Sequence, residues 1–183
     1  MAPIQPTWVP PNARFELDDF NLDWADDGKY DMIHQRELLG SVTDWAKFYD
    51  QCFRYGILAV CSNEILMLPR SLKPGGWIDC TEPGAFFESN YDTLGPDHPF
   101  KTWGKVMLDS GEASGMAFHV GPFIKERLEN AGFVNVVERT ICCTIGPWSS
   151  DPWEREVGIW EQLRLERGVQ LFCERRCINN LGV

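Results

Sequence analysis

Few residue groups in this chain have both the type and the setting for chemistry. Asp18 and Asp19 close a stretch from Arg14 that alternates polar and apolar side chains, and Phe20 follows them directly. Carboxylates at the end of such a stretch serve as turn-formers more often than as ligands. His34 ends the short run Tyr30-Asp31-Met32-Ile33-His34, where an imidazole can act as a general base or as a hydrogen-bonded strand terminus. His98 and His119 lie in loop-like contexts that suit structural or solvated side chains. Three dispersed histidines give no metal spacing, and no Ser/His/Asp or Cys/His nucleophile arrangement stands out. Trp148, Trp153 and Trp160 could form a lid over a substrate, but such residues more commonly cover a core.

The seven cysteines (Cys52, Cys61, Cys80, Cys142, Cys143, Cys173 and Cys177) are odd in number and show no paired spacing. Most stand among apolar neighbours, as in Ile141-Cys142-Cys143-Thr144, and read as reduced, buried thiols of an intracellular protein. Cys173 and Cys177 have no histidines near them, so no zinc site is expected there.

The elements that must position these groups can be read from periodicity and turn chemistry. Four prolines make residues 1–12 extended or loop-like. Residues 14–19 form a short strand ending in an acidic turn, and residues 21–28 a surface loop in which Asp23, Asp26 and Asp27 are solvated. Residues 30–34 form a strand suited to a buried, parallel position. Thr43 can cap a helix whose apolar face is Trp45, Phe48, Tyr49 and Cys52. Leu72-Lys73-Pro74-Gly75-Gly76 is a turn leading into a strand at residues 77–81. A second helix covers residues 100–116, and a third, marked by Phe123, Ile124, Leu128 and Ala131, stops at Gly132. A Val/Ile/Thr-rich strand follows over residues 133–145, then a last helix over residues 152–174. Strands alternating with helices favour an α/β sheet with parallel members.

Bulk composition sets further bounds. A chain of 183 residues, 44% hydrophobic and with 8 Trp and 11 Phe, carries enough apolar surface for one packed domain. A net charge of −10 argues against nucleic-acid binding and against docking on an anionic membrane. The first residues lack the basic and apolar segments of a signal peptide, and the apolar stretch from Ile57 to Leu68 is too short and too polar to span a bilayer. A cytoplasmic or nuclear location is expected, although no basic cluster supports nuclear import.

An ordered series of segments resembles the fungal LaeA-like S-adenosylmethionine-dependent methyltransferases. It comprises Pro3-Ile4-Gln5-Pro6, Val9-Pro10-Pro11-Asn12, Phe15-Glu16-Leu17-Asp18-Asp19 and Tyr30-Asp31-Met32-Ile33-His34. Gly40-Ser41 with Asp44-Trp45, then Leu72-Lys73-Pro74-Gly75-Gly76-Trp77-Ile78, Ala131-Gly132-Phe133-Val134-Asn135-Val136 and Ile145-Gly146-Pro147-Trp148 complete it. The resemblance covers most of the chain outside residues 55–71. It implies a Rossmann-like class I sheet whose seven strands lie in the order 3-2-1-4-5-7-6, with the cofactor across the carboxyl ends of the strands. Residues 14–18 would be family strand 3, residues 30–34 strand 4, residues 77–81 strand 5 and residues 134–145 strand 6. By the same resemblance, Asp18, Asp19, Phe20 and His34 form the cofactor-side set. Asp19 would accept a hydrogen bond from the adenine amino group with Phe20 beside the ring, and His34 would face the methionine end or the substrate. The methyl acceptor, small molecule or protein, is not named by the sequence.

Three departures from the family pattern shape the functional expectation. No Gly-x-Gly-x-Gly stands before Pro3, and all 16 glycines lie from Gly28 onward, so family strands 1 and 2 and the cofactor loop are missing. Residues 55–71 read as an insertion, either a retained intron or misassigned exon or a genuine addition extending the preceding helix. The chain stops at Val183, before family strand 7. The expected fold is therefore one partial α/β methyltransferase domain over residues 1–183, with an exposed sheet edge that predicts reduced stability, a rearranged edge or self-association. Such a chain is expected to be a methyltransferase-like protein linked to fungal secondary metabolism and inactive in isolation. The alternative is a non-catalytic regulatory or interaction module on the same fold remnant.

Overall fold

The computed structural model describes residues 8–24, 30–53, 59–61, 64–66, 72–84, 86–89 and 94–173. Its centre is a parallel pair, β1 (Tyr30–Arg36) and β4 (Leu72–Thr81), joined in register from Met32 beside Trp77 to Arg36 beside Thr81. Between them in sequence come helix α1 (Trp45–Phe53) and a short antiparallel hairpin of β2 (Ala59–Cys61) and β3 (Glu64–Leu66). After β4 follow α2 (Pro99–Ser114), a single 3₁₀ turn (Gly121–Phe123) running into α3 (Ile124–Ala131), and α4 (Pro152–Cys173). The architecture is α/β with a parallel pair, as the alternation of elements implied.

The Lys-Pro-Gly-Gly turn is absorbed into β4 and does not precede it. Tyr30 pairs with Leu72 and Met32 with Trp77, so Lys73 to Gly76 bulge out of the ladder. Gly75 takes φ +79°, and a Cβ on Gly76 would lie 2.9 Å from the Lys73 carbonyl and 3.1 Å from that of Asp31. Glycine is the residue that fits both positions. Lys73 Nζ reaches both Asp31 carboxylate oxygens at 2.8 Å and ties the bulge to β1.

Side chains alternate across the pair. Met32 and His34 on β1 share one face with Trp77 and Asp79 on β4, and that face is exposed. Ile33, Gln35, Ile78 and Cys80 lie on the other face, which packs on the core that α1 anchors. Trp45, Phe48, Tyr49 and Cys52 are buried with Val42, Val120 and Leu128. Phe48 forms the aromatic hub, with ring centroids of Phe20, Trp24, Trp45 and Tyr49 at 5.9, 5.7, 5.9 and 5.4 Å.

The cap of α1 differs from expectation. Asp44 Oδ1 accepts from the Lys47 N–H at 2.9 Å, so Asp44 is the capping residue. Thr43 instead donates its N–H and Oγ1 hydroxyl to Asn21 Oδ1.

Two expected strands do not form. Residues 14–19 and 133–145 run as irregular chain, because among the described residues no strand lies alongside to take their N–H and C=O groups. With no sheet to cover it, the 133–145 segment leaves Val134, Val137 and Ile141 exposed. It also leaves Cys142 and Cys143 exposed, against the expectation of buried thiols, whereas Cys52 is buried as expected and Cys80 half-buried. Trp148, Trp153 and Trp160 are exposed as well and cover no core, and the described side chains of α4 are mostly exposed. In the 55–71 segment α1 ends at Phe53 and the described residues form the β2–β3 hairpin, so they do not prolong the helix. Tyr55 to Leu58 and Met67 to Ser71, like Cys177, lie outside the described residues.

Truncation of the aromatic hub tests this account of the core. Phe48→Ala is expected to lower stability by about 3–5 kcal/mol, read as a shift in urea midpoint at unchanged slope.

Candidate functional site

The residues with chemical potential gather at two places. The first is the loop before β1. Asp18 Oδ1 accepts from the Asp19 N–H at 2.8 Å, and Asp19 Oδ1 accepts from the N–H and side-chain amide of Asn21 at 3.0 and 3.1 Å. Asn21 in turn donates to the Ser41 carbonyl and accepts from Thr43, so the pair of aspartates is stitched to the start of α1. Phe20 turns its ring edge onto Phe48, and its carbonyl accepts from Trp24 Nε1 at 3.1 Å. In this arrangement Asp18 and Asp19 act as turn-formers and Phe20 as a core residue.

The second place is the carboxyl end of the parallel pair. His34 Nδ1 lies 2.9 Å from Asp79 Oδ2, and each side chain is 54% exposed. Just beyond, Glu82 reaches back across the ends of the strands. Its Oε1 accepts from the Leu38 N–H at 2.7 Å and from the Gln35 side-chain amide, and its Oε2 accepts from the Leu39 N–H at 3.2 Å. Those bonds hold the tight turn after β1, where Glu37 takes φ +54°. Burial raises the Glu82 carboxyl above its ordinary range despite three hydrogen bonds that favour its charged form.

Next to Glu82 the core holds a small polar cluster. The Tyr49 hydroxyl donates to Gln35 Oε1 at 3.4 Å and also hydrogen-bonds the Cys80 thiol. Burial pushes the Cys80 thiol up to about 12, the Tyr49 bond working against it and the charges of Asp79 and Glu82 adding to it. Burial also lifts the Tyr49 hydroxyl and the Cys52 thiol far above their usual ranges. All three are neutral at physiological pH and serve as hydrogen-bonding core groups.

Sequence reasoning found His34 and missed Asp79 as its partner, and it missed the separate cluster of Gln35, Tyr49 and Glu82 on the inward face. Asp79 was legible as a strand residue, but its place opposite His34 depends on the bulge at residues 73–76. Among the described residues no hydrogen bond or ring contact joins His34 to Asp18, Asp19 or Phe20. His98 caps α2, its Nδ1 accepting from the Phe100 N–H at 3.2 Å. His119 sits edge-on to the rings of Phe86 and Phe123. The described residues hold no group of three or more His, Cys, Asp or Glu able to bind a metal, and no helix among them is long and apolar enough to cross a membrane.

In open α/β sheets, ligands bind beyond the carboxyl ends of the parallel strands. The sequence pattern of the methyltransferase domain family matches residues 2–138, and the chain belongs to that family. Within it the chain is similar to the fungal LaeA-like proteins. The methyltransferase pytC of Aspergillus terreus is 30% identical over 172 residues, covering 94% of this chain and 48% of pytC. The secondary metabolism regulator LAE1 of Cochliobolus heterostrophus is 28% identical over 170 residues, covering 91% of this chain and 50% of LAE1. The protein-methionine methyltransferase laeA of Emericella nidulans is 26% identical over 174 residues, covering 93% of this chain and 42% of laeA. The chain thus spans about half the length of the curated relatives it matches. No solved structure matches it.

Methyltransferase domains in general take S-adenosylmethionine as methyl donor, and the groups that the resemblance assigns to it make contacts within the chain. Asp19 Oδ1 is already taken by two donors of Asn21, the Phe20 ring is committed to the core, and His34 stands apart from both.

Two outcomes test the polar architecture. Glu82→Ala, which strips the Leu38 and Leu39 N–H groups of their acceptor, is expected to cost about 1–3 kcal/mol by urea denaturation. Iodoacetamide at about pH 8 is expected to alkylate Cys142 at least about tenfold faster than Cys52 or Cys80, as read by peptide mass spectrometry, with the difference lost in denaturant.

Proposed function

We propose that the chain is an S-adenosylmethionine-dependent methyltransferase-like domain of fungal secondary metabolism that, as this 183-residue polypeptide, does not bind the methyl donor productively. In this reading β1 and β4 correspond to family strands 4 and 5, and residues 14–18 and 134–145 to the positions of strands 3 and 6. The carboxyl-end groups His34 and Asp79 then belong to the side of the site that meets the methyl acceptor. Asp18, Asp19 and Phe20 mark the adenine side, which stays closed on itself while Asn21 occupies the Asp19 carboxylate.

The observation that carries this reading is the family match running through both strands of the parallel pair, combined with an adenine-side set, Asp18, Asp19 and Phe20, that is engaged in contacts within the chain. The self-contained hydrogen bonding of Asp19 favours a second reading, a regulatory or interaction module on the methyltransferase fold. The secondary-metabolism-regulator names of several relatives agree with it. We further propose an intracellular setting and self-association through an uncovered sheet edge.

Isothermal titration of the purified chain with S-adenosylhomocysteine decides the point. No detectable binding by a sample with a cooperative melting transition is expected. Micromolar binding that Asp19→Ala abolishes would show a working pocket and overturn the non-binding reading.

A further inference from the structure

The His34–Asp79 pair has the geometry of an oriented imidazole, and nothing in the family match assigns a role to Asp79. The two residues are direct register partners on adjacent parallel strands, so their separation is set by the ladder and not by a flexible loop. A carboxylate can only accept a hydrogen bond. At 2.9 Å from Asp79 Oδ2, Nδ1 of a neutral His34 therefore carries the proton, and Nε2 carries the lone pair. Among the described residues Nε2 has no hydrogen-bond partner, and the side chain is 54% exposed on the face opposite α1.

We infer that Asp79 is a positioning residue that holds His34 as the Nδ1–H tautomer, so that Nε2 accepts a hydrogen bond from an O–H or N–H group of the ligand bound at this face. The assignment rests on the proposed function for the meaning of that face. A ligand hydroxyl or neutral amine can donate its hydrogen to Nε2, whereas a thioether has no hydrogen to donate and gains nothing from this tautomer. The pair thus favours an O–H or N–H ligand over a thioether one.

The tautomer can be read directly and without cofactor. The chain has three histidines, and His34→Gln identifies the His34 resonances in long-range ¹H–¹⁵N correlation spectra at about pH 8, above the ordinary range of imidazole titration. The wild-type spectrum is expected to show a protonated Nδ1 and an unprotonated Nε2. Asp79→Ala is expected to lose that signature in favour of Nε2–H, with the melting transition retained because both side chains are half exposed. A protonated Nε2 in the wild type, or an unchanged Nδ1–H tautomer in Asp79→Ala, overturns the assignment. If Asp79→Ala fails to fold, the wild-type spectrum decides by itself, a protonated Nε2 overturning the assignment. A failed cofactor titration leaves this readout intact, and a wrong tautomer leaves the titration intact, so the two readings fall separately.

Discussion

The parallel pairing of β1 with β4 is the constraint from which the rest of the structure follows. A parallel ladder cannot be closed by a tight turn and needs a crossover, which α1 and the β2–β3 hairpin supply. Once the two strands run side by side, strict alternation sends Ile33, Gln35, Ile78 and Cys80 toward the helices and Met32, His34, Trp77 and Asp79 away from them. A slip of one residue would exchange the two sets. The bulge at Lys73 to Gly76 takes up the extra residues of β4, and the Lys73–Asp31 ion pair holds it there. Register is therefore also what brings His34 opposite Asp79.

The inward face combines apolar packing with polar groups that satisfy one another. Phe48, Trp45 and Tyr49 supply the aromatic surface, while Gln35, Glu82, Tyr49 and Cys80 form a hydrogen-bonded chain over it. Burial disfavours every charge in that chain, which is why the thiols and the phenol stay neutral. Glu82 is the member best placed to remain ionised, since two backbone N–H groups and an amide point at it. Its carboxylate does for the β1 turn what a cap does for a helix end, giving acceptors to N–H groups that the ladder has left behind.

How much of this was legible in the sequence divides along the range of the interactions. The α1 face at i, i+3, i+4 and i+7, the helix expected from Phe100 and the glycine stop of α3 are local patterns, and each became the element expected of it, α2 beginning at Pro99. Residues 14–19 and 133–145 carry equally plain strand patterns, yet neither forms a strand. A strand exists only when another chain segment completes its hydrogen bonds, and composition carries no information about that partner. Asp44 displaced Thr43 as cap for a related reason. Asn21, distant in sequence, binds Thr43 and leaves Asp44 to face the helix. The cysteines at 142 and 143 were misjudged together with the strand that was to bury them.

The candidate site shows the same division from the side of chemistry. Asp18 and Asp19 sit where the family resemblance puts an adenine ligand, but an aspartate two residues before an asparagine N–H satisfies itself locally unless something better competes. His34 is different, because the group that orients it is its neighbour in the ladder and is present whether or not a ligand is bound.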